Sequence, residues 1–83
     1  MAAEQRIARF LLDLGCRWLE RGYSASAFPL PMSRREIGEH LGRSAETMSR
    51  ALSQFQARGW IRLQRHAVEI RDARALGVLL AAG

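Results

Sequence analysis

Apolar side chains recur every three or four residues along the N-terminal part of the chain. This spacing places them on one face of an α-helix, so we predict a helix over residues 4–21 whose apolar face covers a core. The main stripe consists of Ile7, Phe10, Leu11, Leu14 and Trp18. A weaker flank runs through Ala8, Leu12 and Leu19. We interpret that flank as the margin of the core, the alternative being a face toward another domain.

The helical periodicity stops between Gly22 and Met32, where serines, Pro29 and Pro31 occur. Proline cannot donate a backbone hydrogen bond, and strands that contain it lie at sheet edges. The segment is therefore predicted to be a loop that holds at most one short edge strand.

Helical spacing resumes after a capping signal. Ser33 followed by Glu36 is a capping box, in which each side chain accepts a hydrogen bond from the other residue's backbone amide. Gly42 can take the positive φ that ends a helix. We therefore predict a short helix over residues 33–41, with Ile37 and Leu41 on its inner face.

A second helix signal follows directly. Ser44 can act as an N-cap, and Met48, Leu52 and Phe55 recur at helical spacing before Gly59. This predicts a helix over residues 45–58. Two short helices about a tight turn are typical of a helix-turn-helix, whose second helix enters the major groove of DNA.

Beyond Gly59 the pattern changes to alternation of apolar and polar residues over 60–64 and 68–71. Alternation predicts a two-stranded wing over residues 60–71, with Arg65, His66 and Ala67 between the strands. The tip has no glycine, so we expect a strained or wider turn at Arg65 or His66. An apolar tail over 73–82, which Asp72 can cap, predicts a closing helix.

These elements predict one domain over residues 1–83. The fold class is α+β, mainly helical: a winged helix-turn-helix with a two-stranded wing.

The first two turns of the second helix carry side chains suited to base edges. Arginine can donate two parallel hydrogen bonds to guanine, and glutamate can accept one from the cytosine amino group. Glu46, Ser49 and Arg50 lie away from the face that holds Met48 and Leu52, which makes them candidates for base readout. Taken alone, Glu46 and Arg50 are better explained as an ordinary solvated ion pair, and it is the surrounding helix-turn-helix pattern that favours base readout.

Basic residues on the wing are candidates for a different contact. Arg62, Arg65 and His66 could reach DNA phosphates and add salt-sensitive affinity that is independent of sequence. A solvated hairpin explains them equally well.

Composition favours a polyanionic partner only weakly. The 83 residues carry a formal net charge of +5, which suits a polyanionic partner. All 13 basic residues are arginine, a bias that reflects a GC-rich genome more than a binding requirement. No apolar run is long enough to span a membrane, and the N-terminus lacks the layout of a signal peptide, so we expect a cytoplasmic protein.

Nothing in the sequence indicates an enzyme. Cys16, His40 and His66 are too few and too scattered for a structural zinc site, and no nucleophile lies at a recognisable spacing from a base. We expect no cofactor in this chain. Cys16 lies opposite the apolar stripe, so it is expected to be an exposed, inert thiol rather than a redox sensor.

The run LPMSRREIGEHLGRSAETMSRALSQFQARGWI, with its flanking segments, resembles the C-terminal DNA-binding domain of the Crp/Fnr superfamily of bacterial transcription regulators. The order Glu46, Thr47, any residue, Ser49, Arg50 is similar to the Fnr-type recognition helix, whose members read TTGAT-like half-sites in an inverted repeat. The cyclic-AMP receptor branch usually has arginine and glycine where this chain has Ala45 and Ser49.

The resemblance implies roles for further residues. Glu46, Ser49 and Arg50 would contact bases. Positions that usually contact phosphates are occupied by Ser33, Arg34, Ser44 and Thr47.

It also implies partners. The loop from Tyr23 to Phe28, with Ser24 and Ser26, lies where Fnr-like activators touch the RNA polymerase α subunit, although a plain connector is an equal alternative. Relatives act as homodimers and carry a sensor domain and a dimerisation helix ahead of this module, and the signal sensed there is not encoded here. The sequence thus predicts sequence-specific DNA binding and transcription regulation, the alternative being a winged helix that binds protein.

Overall fold

A computed structural model describes residues 3–30, 32–42 and 44–81, apart from the side chains of Arg34 and Ala45. The elements in chain order are α1 (Ala3–Glu20), β1 (Ala27–Pro29), α2 (Arg34–Leu41), α3 (Ala45–Ala57), β2 (Ile61–Leu63), β3 (Ala67–Ile70) and α4 (Ala73–Ala81). The predicted mainly helical winged helix-turn-helix is confirmed. Residue 82, which the predicted closing helix included, lies outside the described residues.

The buried face of α1 is rotated relative to the predicted stripe. The buried residues on this face include Ile7, Ala8, Leu11 and Gly15. The half-buried residues beside them are Phe10, Leu14 and Trp18. Ala8, assigned to the weaker flank, is completely buried. The rotation arises because α1 packs against α4, α3 and β1, so contacts on several sides decide which positions are deepest.

Gly15 permits one of these contacts. A Cβ atom at this position would lie 2.6 Å from the carbonyl oxygen of Ala25 and 3.1 Å from Cε1 of Phe28. The loop before β1 therefore crosses α1 at a distance that only glycine allows.

The sheet has three antiparallel strands in the order β1-β3-β2. Phe28 lies opposite Val68, and Leu63 pairs with Val68 from the other side. The predicted two-stranded wing is therefore part of a larger sheet, which the short edge strand at Pro29 completes. Pro29 is tolerated because β1 pairs on one side only.

The wing tip is a tight turn. Arg65 and His66 alone connect the paired residues Gln64 and Ala67, and the Gln64 amide donates to the Ala67 carbonyl at 2.9 Å. Among the described residues, positive φ values occur only at glycines. The expectation of a strained or wider turn was wrong. The His66 carbonyl also accepts the Leu30 amide at 2.8 Å, so the segment after β1 supports the tip.

One hydrophobic core joins all these elements. Its largest fully buried side chains are Phe55, Ile7, Leu11, Ile37, Met48, Leu52, Ile61, Leu76 and Val68. The described helices include none long and apolar enough to cross a bilayer.

Candidate nucleic-acid interface

The start of α2 is fixed by the predicted capping box. The Glu36 amide donates to Ser33 Oγ, and the Ser33 amide donates to Glu36 Oε1, both at 3.2 Å. Gly42 ends the helix with φ of 71°. The exposed Ser33 hydroxyl therefore lies at a well-defined helix N-terminus. Arg34 is the first residue of α2, but its side chain is outside the described part.

The start of α3 is fixed in the same way. Ser44 Oγ accepts the Thr47 amide at 3.1 Å, and the two side-chain hydroxyls lie 2.9 Å apart. Backbone amides at a helix N-terminus carry partial positive charge and favour anions. Ser44 and Thr47 thus combine hydroxyls with an electropositive helix end, which is chemistry that a phosphate can use.

Opposite faces of α3 have opposite character. Met48, Leu52 and Phe55 are at most 2% exposed and hold the helix on the core. The side chains of Glu46 and Arg50 are 72% and 77% exposed, and Arg50 Nη2 donates to Glu46 Oε1. Ser49 is half-buried between these faces. The exposed pair presents one acceptor and one planar donor from adjacent turns.

The wing presents two arginines and a histidine to solvent. Arg62, Arg65 and His66 are all exposed. Arg62 lies opposite Glu69 in the β2–β3 pairing, and Glu69 also forms an ion pair with Arg71 at 3.8 Å. The tip residues Arg65 and His66 have no carboxylate within salt-bridge distance among the described residues. They can therefore meet an external anion without first breaking an internal ion pair.

The recognition helix and the wing are linked by a residue that sequence reasoning missed. Gln56, in the last turn of α3, accepts the backbone amide of Leu63 on Oε1 at 2.8 Å. Glutamine is an ordinary helix-forming residue, so no pattern in the sequence distinguishes Gln56 from its neighbours.

The predicted polymerase-contact residues separate into two groups. Tyr23 is 61% exposed, and Ser24 and Ser26 are exposed and lie within hydrogen-bond distance of each other at 3.0 Å. Phe28, in contrast, is 3% exposed, and including it was wrong. Its position in β1 directs the side chain into the core, where it cannot contact a partner.

The other side chains of interest are those that could bind a metal or react. Within residues 3–30, 32–42 and 44–81, no three His, Cys, Asp or Glu side chains form a group that could hold a metal. Cys16 is an exposed free thiol. His40 lies near the ring of Phe10, with centroids 6.1 Å apart.

Comparison with known proteins agrees with this geometry. Residues 5–79 match the model of the Crp-like helix-turn-helix domain. Over 77 residues the chain is 46% identical to the transcriptional activator protein FnrA of Stutzerimonas stutzeri, covering 93% of this chain and 32% of that protein. It is 40% identical to the fumarate and nitrate reduction regulatory protein of Shigella dysenteriae, again over 93% of this chain and 31% of the relative.

Solved structures give the same result. FixK2 from Bradyrhizobium japonicum superposes with a TM-score of 0.85 at 38% identity, covering 99% of this chain and 40% of that one. The catabolite activator protein of Thermus thermophilus gives a TM-score of 0.74 at 31% identity, covering 96% of this chain and 34% of that one.

The chain spans about one third of the length of its curated relatives. Those relatives are named as transcriptional activators and regulators, a class of DNA-binding proteins that are not enzymes. The match to the family model covers nearly the whole chain, and the fold and the capped helix-turn-helix agree with it. The chain therefore belongs to the Crp-like helix-turn-helix domains of the Crp/Fnr transcription regulators.

Proposed function

We propose that this domain reads TTGAT-like half-sites of an inverted repeat and thereby regulates transcription at its target promoters. The observation that carries the proposal is the exposed Glu46–Arg50 pair on the first two turns of α3, opposite the face that anchors the helix. That is the part of a recognition helix that meets base edges.

The chemistry of the pair suits this half-site. TTGAT contains one G·C pair, which offers guanine O6 and N7 to an arginine and the cytosine amino group to a glutamate. The ion pair with Glu46 favours one orientation of the Arg50 guanidinium before DNA binds, which lowers the entropy lost on binding. Ser49, at the margin of the same surface, is the third base-contacting residue in this proposal.

Phosphate contacts would set the register of the helix on the duplex. We assign them to the two helix N-termini and to the wing. The residues are Ser33, Arg34, Ser44, Thr47, Arg62, Arg65 and His66. Such contacts make affinity fall as salt rises, with no dependence on sequence.

Tight binding would require two copies. One copy neutralises few phosphates, and each bidentate base contact contributes only about 1–3 kcal/mol. The inverted repeat matches a two-fold homodimer of the longer regulator, in which each copy reads one half-site.

Two substitutions test the division between base readout and phosphate contact. Arg50→Ala should cost about 1–3 kcal/mol on the matched duplex and relax the preference at the G·C pair. Arg62→Ala should weaken binding to all sequences alike and reduce the salt dependence. Fluorescence anisotropy on matched and scrambled duplexes measures both effects.

Equal losses from Arg50→Ala on both duplexes would contradict base readout. An absence of DNA binding by the unmodified domain at low salt would instead favour a winged helix that binds protein.

We also propose that the surface of Tyr23, Ser24 and Ser26 contacts the RNA polymerase α subunit. Tyr23 is exposed yet held in place, since its ring packs edge-on against Trp18 at 5.1 Å and its amide donates to the Trp18 carbonyl at 2.9 Å. A rigid, exposed aromatic residue is typical of protein interfaces. Tyr23→Ala should weaken binding of the isolated α subunit to the domain–DNA complex without changing DNA affinity. An unchanged α-subunit affinity would remove this assignment.

A further inference from the structure

Strand β2, like β1, is an edge strand, since the strand order is β1-β3-β2. In an antiparallel pair, alternate residues direct their amides toward the partner strand and away from it. The Gln64 amide donates inward to Ala67, so the neighbouring Leu63 amide faces the open edge. An edge amide normally has only water as its partner.

Here the outward amide has a side-chain partner. Gln56 Oε1 accepts the Leu63 amide at 2.8 Å, seven residues away along the chain. Gln56 belongs to the last turn of α3, whose first turns carry Glu46 and Arg50. The hydrogen bond therefore connects the recognition helix directly to the strand that carries Arg62.

Another connection lies in the turn between α3 and β2, at Trp60. The Trp60 amide donates to the Phe55 carbonyl at 2.9 Å, and the two rings lie 5.5 Å apart between centroids. These contacts fix the turn between α3 and β2, but they do not extend to Leu63 at the far end of β2. Among the described residues, the hydrogen bond from the Leu63 amide to Gln56 is the one that joins β2 to α3 beyond Ile61.

We propose that Gln56 is a positioning residue for DNA binding: it sets the angle of the wing relative to α3, so that Arg62 and Arg65 meet the phosphate backbone while Arg50 reads a base. This inference rests on the proposed function. Gln56 touches no DNA in this account and acts only through Leu63 and the strand.

The test compares Gln56→Ala with Gln54→Ala. Gln54 is exposed on the same helix, and among the described residues its side chain has no hydrogen bond. Affinity for the TTGAT inverted-repeat duplex is measured by anisotropy over a series of salt concentrations.

We expect Gln56→Ala to weaken binding by about two- to tenfold, the range for loss of one hydrogen bond. The slope of log affinity against log salt should become shallower by about one, as expected when one phosphate contact is lost. The ratio of affinities for matched and scrambled duplexes should stay unchanged, because Arg50 is not displaced. Gln54→Ala should resemble the unmodified domain.

A double-mutant cycle separates positioning from simple stabilisation. If Gln56 positions the wing, Arg62→Ala should cost less affinity in the Gln56→Ala background than alone. Additive losses would overturn the inference, as would equal salt slopes for Gln56→Ala and Gln54→Ala.

Hydrogen exchange of the Leu63 amide supplies a readout that needs no DNA. Exchange should accelerate in Gln56→Ala and remain slow in Gln56→Glu, which keeps the acceptor oxygen. Unchanged exchange in Gln56→Ala would also overturn the inference. If the unmodified domain prefers no duplex, the proposed function fails and the inference with it, whereas normal binding with no effect of Gln56→Ala removes the inference alone.

Discussion

The candidate DNA-binding surface has two parts, the helix-turn-helix and the sheet. Local hydrogen bonds stabilise the first, whereas pairing between distant segments of the chain stabilises the second. In the helix-turn-helix, each helix start is fixed by hydrogen bonds between residues three positions apart, at Ser33–Glu36 and Ser44–Thr47. In the sheet, β1 pairs with β3 from a distant part of the chain, Ala27 lying opposite Glu69. Disturbing the pairing of β1 with β3 therefore requires a change in tertiary contact, whereas one local substitution can disturb the start of either helix.

The largest change in stability is expected at Gly15, where α1 meets the loop before β1. Gly15→Ala should lower the free energy of unfolding by about 1–3 kcal/mol, because the new Cβ would lie 2.6 Å from the Ala25 carbonyl oxygen and force the backbone to shift. Urea denaturation followed by circular dichroism measures the change.

Gly77→Ala is the matched control. Gly77 also lies within a helix, and a Cβ there would have nothing within 4 Å. Alanine has a higher helix propensity than glycine, so this variant should gain up to about 1 kcal/mol. If both variants changed the free energy of unfolding by the same amount, the close contact between α1 and the segment leading into β1 would not contribute to stability.

A smaller, local effect is expected at the cap of α3. Ser44→Ala removes the acceptor for the Thr47 amide and should cost about 1 kcal/mol of unfolding free energy. Ser53→Ala, at an exposed position inside the same helix, should be neutral or slightly stabilising. Thermal unfolding of both variants tests the difference, and a Ser44→Ala variant as stable as Ser53→Ala would show that the cap contributes nothing.

The smallest stability effect is predicted for the exposed pair on α3. Arg50→Ala should change the unfolding free energy by less than about 0.5 kcal/mol, since a solvent-exposed ion pair at this spacing contributes little. Urea denaturation of Arg50→Ala beside the unmodified domain measures it. A loss above about 1 kcal/mol would assign Arg50 a structural role and weaken its place in DNA readout.

The features that could be predicted from the sequence are those determined by local contacts. The bounds of α2 and α3 follow from capping residues next to each helix, chiefly Ser33, Gly42 and Ser44, and the structure places these residues as predicted. The exposure of Glu46 and Arg50 follows in turn from helical periodicity once Met48 and Leu52 face the core.

What the sequence could not predict depends on partners far along the chain. The pairing of β1 with β3, the burial of Phe28 and the rotation of the α1 face toward Ala8 are tertiary effects with no local signal. The prediction of a strained or wider turn at the wing tip was wrong for a related reason. The Leu30 amide supports it from outside the hairpin, and the turn closes without a left-handed residue.

Base readout by α3 can be tested by fluorescence anisotropy of the domain on a duplex carrying TTGAT and ATCAA inverted half-sites. The control is a scrambled duplex of equal length, and both are measured at two salt concentrations. We expect a preference for the matched duplex that persists at the higher salt, because base contacts by Glu46, Ser49 and Arg50 depend on sequence and phosphate contacts do not. Equal binding to both duplexes that disappears at the higher salt would contradict base readout and leave only a basic surface.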